Sequence, residues 1–354
     1  MYYFVFAVLL FFSSIEFTTY RKSILWFKVI YMLMTFMVML RYGQLADYFN
    51  YEMLYDNPDS MGEWRDPLYF VFVKAFKGLG IGYEGFVFVI GGISMALSYP
   101  FFAKTCKQSA TALFVFYCYV FLILPMNAVR QGICLAILLY GYTFLIERKK
   151  EWFYLWVLVG ALIHLSMLAI FLIGLFYDKK RYNGGMVKWI VFGLTGFALV
   201  TPDLTQYIPA ILGDRSLGEY EDSRLIQIAI RFLLIVPVLF IKPEYGTQGY
   251  YAKAICIIGY CLYCCLAFSS LIAGRLEFYY RVFYCLFVAQ VIFNMRRIYL
   301  DHSLLGIILM IHVVLFFKNM DAAISQGDYN RDKVSMLNFP YISVFNEEDL
   351  EDYK

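Results

Sequence analysis

Charge is what this chain has least of. Asp, Glu, Lys and Arg make up 16% of its 354 residues, where soluble domains carry about a quarter. That scarcity excludes an ordinary water-facing surface. Stretches that alternate polar and apolar residues are missing too, which excludes an outer-membrane type of barrel. No internal repeat, linker or soluble domain stands out. No basic segment precedes the first apolar run, which starts at Tyr2, so that run reads as a mature helix and not as a cleaved signal. Of eight cysteines, seven lie inside apolar runs, and Cys261-x-x-Cys264-Cys265 has no flanking His or acidic residue. A metal knuckle is therefore not expected there. No metal, cofactor or nucleotide-sugar site is expected anywhere in the chain, and nothing suggests nucleic acid as a partner.

What fills the space is apolar. Hydrophobic residues reach 62%, aromatic residues 20%, and the mean hydropathy is +0.64. The runs long enough to cross a bilayer fall near 2–19, 24–41, 85–104, 109–126, 128–147, 152–177, 187–202, 225–242, 250–272, 278–296 and 303–318. A spanning helix needs roughly 20 apolar residues. The expected fold is thus an all-α polytopic membrane protein with about 10–12 transmembrane helices, over residues 1–318. A polar, acidic tail follows at 319–354, expected as a lid or a disordered end. The shorter run 68–80, with Lys74 and Lys77, reads as an interfacial helix.

Loop charge orients these spans. The clusters Arg21-Lys22, Lys104 to Lys107, Arg148 to Lys150, Lys179 to Arg181, Lys242 and Arg296-Arg297 should face the cytoplasm, and the acidic loops 42–67 and 203–224 the outside. Run 152–177 is bracketed by two basic clusters, so one straight span would put one of them on the wrong side. Two readings resolve the conflict: run 68–80 is a true span and the loops at 104–107 and 148–150 are tolerated outside, or, the preferred reading, a re-entrant hairpin turns near Gly160 to His164 and leaves ten full spans with both termini outside. Broken backbone at membrane depth must face protein or water, so the turn should mark a cavity.

Ionisable groups near or within the spans are the functional candidates, because each is costly there. They are Arg41 with Asp47, Tyr48 and Tyr51; Asn127, Arg130 and Gln131; His164; Arg231; and Arg275, Glu277, Tyr279 and Arg281. Loop charge sends the Arg41, Arg130 and Arg275 segments to one outer face. Planar, permanently charged guanidinium groups there suit a phosphate or diphosphate, and tyrosines suit sugar rings or an interfacial belt. Each also has a plain structural reading: snorkelling for Arg41 and Arg130, an ion pair for Glu277 and Arg281, a satisfied core residue for His164.

The same residues resemble a known family. Arg41-x-Gly43…Asp47-Tyr48-x-x-Tyr51, Asn127-Ala-Val-Arg130-Gln131-Gly132, Ala161-Leu-Ile-His164-Leu-Ser166, Arg275-x-x-x-Tyr279 and Pro340-Tyr341-Ile-x-x-Phe345 are similar, in that order, to the EpsG/Wzy type of oligosaccharide repeat-unit polymerase. Where members often have a second glycine before the Asp-Tyr pair, this chain has Leu45-Ala46. The resemblance implies a multi-pass enzyme of the bacterial inner membrane. It would transfer a growing glycan from undecaprenyl diphosphate to the non-reducing end of a new lipid-linked repeat unit, at the outer face. It would need no cofactor, and its partners would be the lipid-linked oligosaccharide, membrane lipid and a chain-length regulator. On this reading Arg130 and Arg275, helped by Arg281 and Arg41, bind the diphosphate. Asp47 is the first choice of base, then His164, then Glu277. Asn127, Gln131, Tyr48, Tyr51 and Tyr279 line the substrate. A lipid-linked oligosaccharide flippase, a glycan ligase and a membrane O-acyltransferase are the alternatives. A flippase would call for paired broken helices in two halves, and no such repeat is seen.

The topology is directly testable. A cysteine placed at position 215 should react with a membrane-impermeant reagent from outside, and a reporter fused after Lys354 should be active outside. A cytoplasmic signal from both would overturn the orientation.

Overall fold

In a bilayer every backbone N–H and C=O must be satisfied within the chain, so the apolar runs have little choice but helix. The computed structural model describes residues 1–19, 24–45, 47–61, 66–177, 184–202, 204, 224–294, 299–327 and 329–354. Arg21-Lys22, Lys179 to Arg181, Arg296-Arg297, Asp203 and most of the acidic loop after it lie outside the described residues. Among those described there are helices and no strand, only one isolated β-bridge.

The chain divides into two compact units, Met1–Gly174 with His312–Lys354, and Leu175–Ile311. The first contains α1 (Tyr2–Thr19), α2 (Ile24–Leu40), α3 (Tyr48–Asp56), α4 (Pro67–Gly78), α5 (Tyr83–Pro100), α6 (Ser109–Phe116), α7 (Val129–Ile146), α8 (Lys150–Ile163) and α9 (Phe171–Phe176). Here α5 packs on α2 and α7, α8 on α7, and α1 on α6. The second contains α10 (Gly184–Val200), α11 (Arg224–Phe240), α12 (Gln248–Cys265), α13 (Ser270–Arg281) and α14 (Phe283–Asn294), with α12 at its centre. The long helix α15 (Tyr299–Gln326) and the short α16 (Asp349–Tyr353) complete the chain.

Among the described residues, four helical segments are long and apolar enough to cross a membrane: Tyr2–Thr19, Tyr83–Thr105, Val129–Ile146 and Gly306–Gln326. Shorter apolar helices include Ile24–Leu40 and Gly184–Val200. Phe11, Trp189, Val200 and Met310 are each more than half exposed, a distribution that suits lipid and not water. The protein is an all-α polytopic membrane protein.

Run 152–177 is broken where its loop charges require. Helix α8 stops at Ile163, His164 is extended (φ −158°, ψ 120°), a 3-10 turn covers Leu165–Ile170, and α9 follows. The two arms face each other: Gly160 lies against Met167, Gly174 against Tyr154, and the Tyr154 ring stacks on Phe171 at 5.1 Å. These pairs centre on His164, so the segment is a hairpin with the imidazole at its tip. Two boundaries differ from the expected runs: the long helix α15 continues to Gln326, into the segment expected as tail, and the Arg275 segment is helical. Arg275 to Arg281 do not join two spans; they lie inside α13, which starts after Ser269, whose side chain accepts a hydrogen bond from the Ile272 N–H at 3.5 Å. A capping serine and an i,i+4 Glu–Arg pair let charge sit inside that helix.

The polar tail is ordered. It folds back over the ends of α1 and α2, pairing Arg41 with Ser343 in an antiparallel bridge, with Val344 N–H on Leu40 O at 3.0 Å and Tyr42 N–H on Ile342 O at 3.2 Å. Gln44, fully buried, accepts from the Tyr2 hydroxyl at 2.6 Å and donates to Pro340 O at 2.7 Å. The chain reverses beneath this strap through Gly43 (φ +56°) and Leu45 (φ +67°). Leu45 thus takes a left-handed conformation at the place where a glycine is often found, a strain held by burial of its side chain.

Gly43→Ala tests the strap. An added Cβ would fall 2.4 Å from Leu350 Cδ2 and force a left-handed alanine. The strain alone costs about 1–3 kcal/mol. The variant should melt earlier and lose the tail to limited proteolysis near Arg331 and Lys333 faster than wild type. Unchanged tail protection would overturn the role given to Leu350.

Candidate functional site

The first unit gathers a polar group at the tip of the hairpin. Helix α7 opens just after Pro125 and Asn127, and its first turn is pressed against the preceding loop: a Cβ on Gly132 would lie 3.0 Å from Leu124 O. That close approach fixes Arg130 and Gln131 on the first turn. Helix α8 returns antiparallel to α7, with Cys134 Sγ on Gly160 O at 3.3 Å, and so delivers His164 to the level of Gln131. The third contributor is Asp66, which precedes Pro67 at the start of α4. Proline at the first helical position needs no N–H partner, and the Asp66 carbonyl accepts from Phe70 N–H at 3.0 Å.

Asp66 is the hub. One carboxylate oxygen forms an ion pair with Arg130 Nη1, and the other lies 3.4 Å from His164 Nδ1. The Nε2 of His164 lies 3.4 Å from the Gln131 side-chain amide nitrogen. With that amide donating, one tautomer satisfies both contacts: Nδ1–H donates to Asp66 and Nε2 accepts. The Arg130 guanidinium also lies over the rings of Tyr51 (5.3 Å) and Tyr69 (5.7 Å). Burial opposes the charge on Asp66, but the hydrogen bond from His164 and the charge of Arg130 outweigh it and hold the carboxyl below the usual carboxylate range. Side-chain exposure is 8% for Asp66 and 21% for Arg130 and His164. The central carboxylate is closed off and its two partners remain reachable.

The other expected residues fall around this hub or away from it. Asp47 and Asn127 hold each other, Asp47 N–H on Asn127 Oδ1 at 3.0 Å and Asn127 Nδ2 on Asp47 Oδ2 at 3.4 Å. The pair therefore ties the start of α3 to the start of α7. Tyr51 on α3 reaches Arg130, while Tyr48 packs against Tyr42, Phe49 and Tyr83. Arg41 is 3% exposed and donates from Nη1 to Val38 O at 2.6 Å.

Arg275, Glu277, Tyr279 and Arg281 belong to α13 in the second unit. Glu277 Oε2 accepts from Arg281 Nε at 2.5 Å and from Arg231 Nε at 3.2 Å, all three side chains being buried. Arg231 lies over Tyr263 at 4.0 Å and Arg281 over Phe278 at 4.2 Å. Tyr279 is buried and Arg275 half-buried. Glu277 is thus a shared acceptor for two guanidinium groups. Among the described residues no three His, Cys, Asp or Glu side chains converge as metal ligands would.

Residues 24–343 match the EpsG family. This chain belongs to the EpsG family. The match takes in the hairpin, the Asp66 hub, the arginine group of α13 and the strap as far as Ser343. No curated protein and no solved structure matches the chain. EpsG membership fits polysaccharide biosynthesis, a lipid-linked oligosaccharide substrate and a membrane setting. Sequence reasoning missed Asp66, Tyr69 and the partnership of Arg231 in this EpsG protein. The one local signal at Asp66, an Asp-Pro step opening a helix, reads first as a plain helix start.

A pH titration checks the hub. A carboxyl whose folded pKa lies below its unfolded value of about 3.9 contributes fully above that value, and the contribution drains away as pH falls through the folded one. The melting temperature of wild type should therefore fall on acidification below about pH 4, and Asp66→Asn should flatten that part of the curve. Equal acid slopes for both proteins would contradict the pairing.

Proposed function

We propose that this protein polymerises lipid-linked oligosaccharide repeat units, and that the Asp66–His164–Arg130 group is where the transfer is catalysed. The observation carrying the reading is the arrangement of His164: an oriented imidazole at a hairpin tip, with Asp66 behind Nδ1, and with Nε2 as the acceptor once the acceptor hydroxyl displaces the Gln131 amide from it. A carboxylate that holds an imidazole in one tautomer is the arrangement a general base requires. Family membership supports the substrate class.

In the proposed reaction, a hydroxyl of the acceptor repeat unit attacks the anomeric carbon of the donor glycan. Its proton passes to His164 Nε2. The bond between the anomeric carbon and the diphosphate oxygen breaks, and the electron pair leaves with undecaprenyl diphosphate. Arg130 meets the charge that builds on the diphosphate oxygens, the kind of fixed electrostatic stabilisation that dominates many enzymes. Tyr51 and Tyr69 limit where that guanidinium can go. Gln131 and Asn127 hold the first turn of α7, and Asp47 acts through Asn127. Arg275 on α13 keeps its proposed role on the diphosphate through the family resemblance. The setting is the outer face of the bacterial inner membrane.

Cells whose own copy is replaced by Arg130→Ala or His164→Ala should keep the protein in the membrane, lose long polymer and display single repeat units. The expected loss is about 10²–10⁴-fold for the base and about 10²–10³-fold for the arginine. Arg130→Lys should restore only part of the activity, because it keeps the charge but not the planar two-pronged donor. Full-length polymer from the Lys variant would remove Arg130 from the diphosphate, and full-length polymer from His164→Ala would remove the base.

A further inference from the structure

Arg41 is a buried cation without a buried anion. Its side chain closes under the strap, between the end of α2 and Ser343, and the residue is 3% exposed. Its hydrogen bond among the described residues is from Nη1 to the carbonyl of Val38. Among the described residues no carboxylate pairs with it; the groups that share its electrostatic surroundings are the phenols of Tyr2, Tyr48, Tyr83 and Tyr341. Two of those hydroxyls are already spent, Tyr2 on Gln44 Oε1 at 2.6 Å and Tyr341 on Met37 O at 3.0 Å. The other two, on Tyr48 and Tyr83, are buried and have no partner. Their rings touch, with centroids 5.1 Å apart, and the two residues are 2% and 4% exposed.

A buried guanidinium and two buried, unpartnered hydroxyls thus lie in one region in which, among the described residues, no carboxylate balances the positive charge. A buried charge without a counter-charge is strongly unfavourable, and a buried hydroxyl without a partner adds to the cost. Both costs vanish if an anion sits among the three. A lipid diphosphate carries a chain and a sugar that must leave the site, whereas these three side chains are nearly sealed.

We propose that Arg41, Tyr48 and Tyr83 hold one small monovalent anion of halide size, chloride in the cell, as a structural counter-ion that locks the strap and α3 in place. The site neighbours the Asp66 hub through Tyr69, which lies within range of both Arg41 and Arg130. It does not depend on the polymerase reading.

The test uses the full-length protein in detergent. Thermal unfolding is followed in sodium chloride, sodium bromide, sodium phosphate and sodium gluconate at matched ionic strength. Chloride and bromide should raise the melting temperature saturably over gluconate, and crystals grown in bromide should give one anomalous peak beside Arg41. Arg41→Met should abolish the halide dependence. If that variant does not fold, Tyr83→Phe and Tyr48→Phe carry the test, each weakening half-saturation by roughly five- to tenfold, the loss of one hydrogen bond. Equal melting in chloride and gluconate would overturn the proposal. So would stabilisation by phosphate alone, which would make the site a phosphate site, or a phenylalanine variant with wild-type halide dependence.

Discussion

The carboxylate of Asp66 is the constraint on which the first unit turns. It is nearly closed from solvent and charged, and it stays so only because Arg130 and His164 meet it from opposite sides. Removing Arg130 would leave a largely buried charge, a change that costs about 3–5 kcal/mol in comparable pairs, and removing His164 would take away one of its hydrogen bonds. Three separate pieces of chain therefore have to arrive together: the start of α4, the first turn of α7 and the tip of the hairpin. An ion pair at a water-exposed surface could not enforce this, because it is worth about 1 kcal/mol or less. Here the same group ties the start of α4 to the first turn of α7 and to the hairpin tip.

The hairpin shows what a membrane setting demands of a functional break. The backbone at His164 is extended and cannot continue the helical ladder. Yet His164 N–H still reaches Gly160 O at 2.8 Å, and Met167 N–H reaches His164 O at 3.0 Å. The turn therefore leaves these groups satisfied, as low-dielectric surroundings require. Around it, small residues permit close approach: Gly160 faces Met167, and Gly174 faces Tyr154. The imidazole is held between Asp66 and Gln131, each at 3.4 Å.

The strap and α3 follow the same logic. Gln44 and Tyr2 lock the strap to α1, and Leu350 fills the space over Gly43. Beneath it, the Asp47–Asn127 pair couples α3 to α7, so Tyr51 is placed by the strap at one end and by α7 at the other. In the second unit Glu277 plays a part comparable to that of Asp66, accepting from Arg231 and Arg281 with aromatic rings against both guanidinium groups. There both partners and the carboxylate are buried alike, the arrangement of a closed structural group.

Hydropathy and charge by themselves determined the fold class, because backbone in lipid must be helical whatever its neighbours are. They also determined the hairpin: one span between the basic clusters Arg148 to Lys150 and Lys179 to Arg181 would carry a cluster across the bilayer, and that cost is local enough to read from sequence. Arg130 and His164 could be found for the same reason, since an ionisable group in an apolar run is conspicuous wherever it points. Asp66 could not. It stands in a loop rich in charge, where a carboxylate costs nothing until tertiary packing removes its water, and nothing within a few residues of it forecasts that α7 and the hairpin tip will do so. The surroundings of Asp47 and Asp66 are likewise set by contacts about 80 and 100 residues away in sequence, Asn127 for one and His164 for the other. Single-residue cost is a local property; partnership is not.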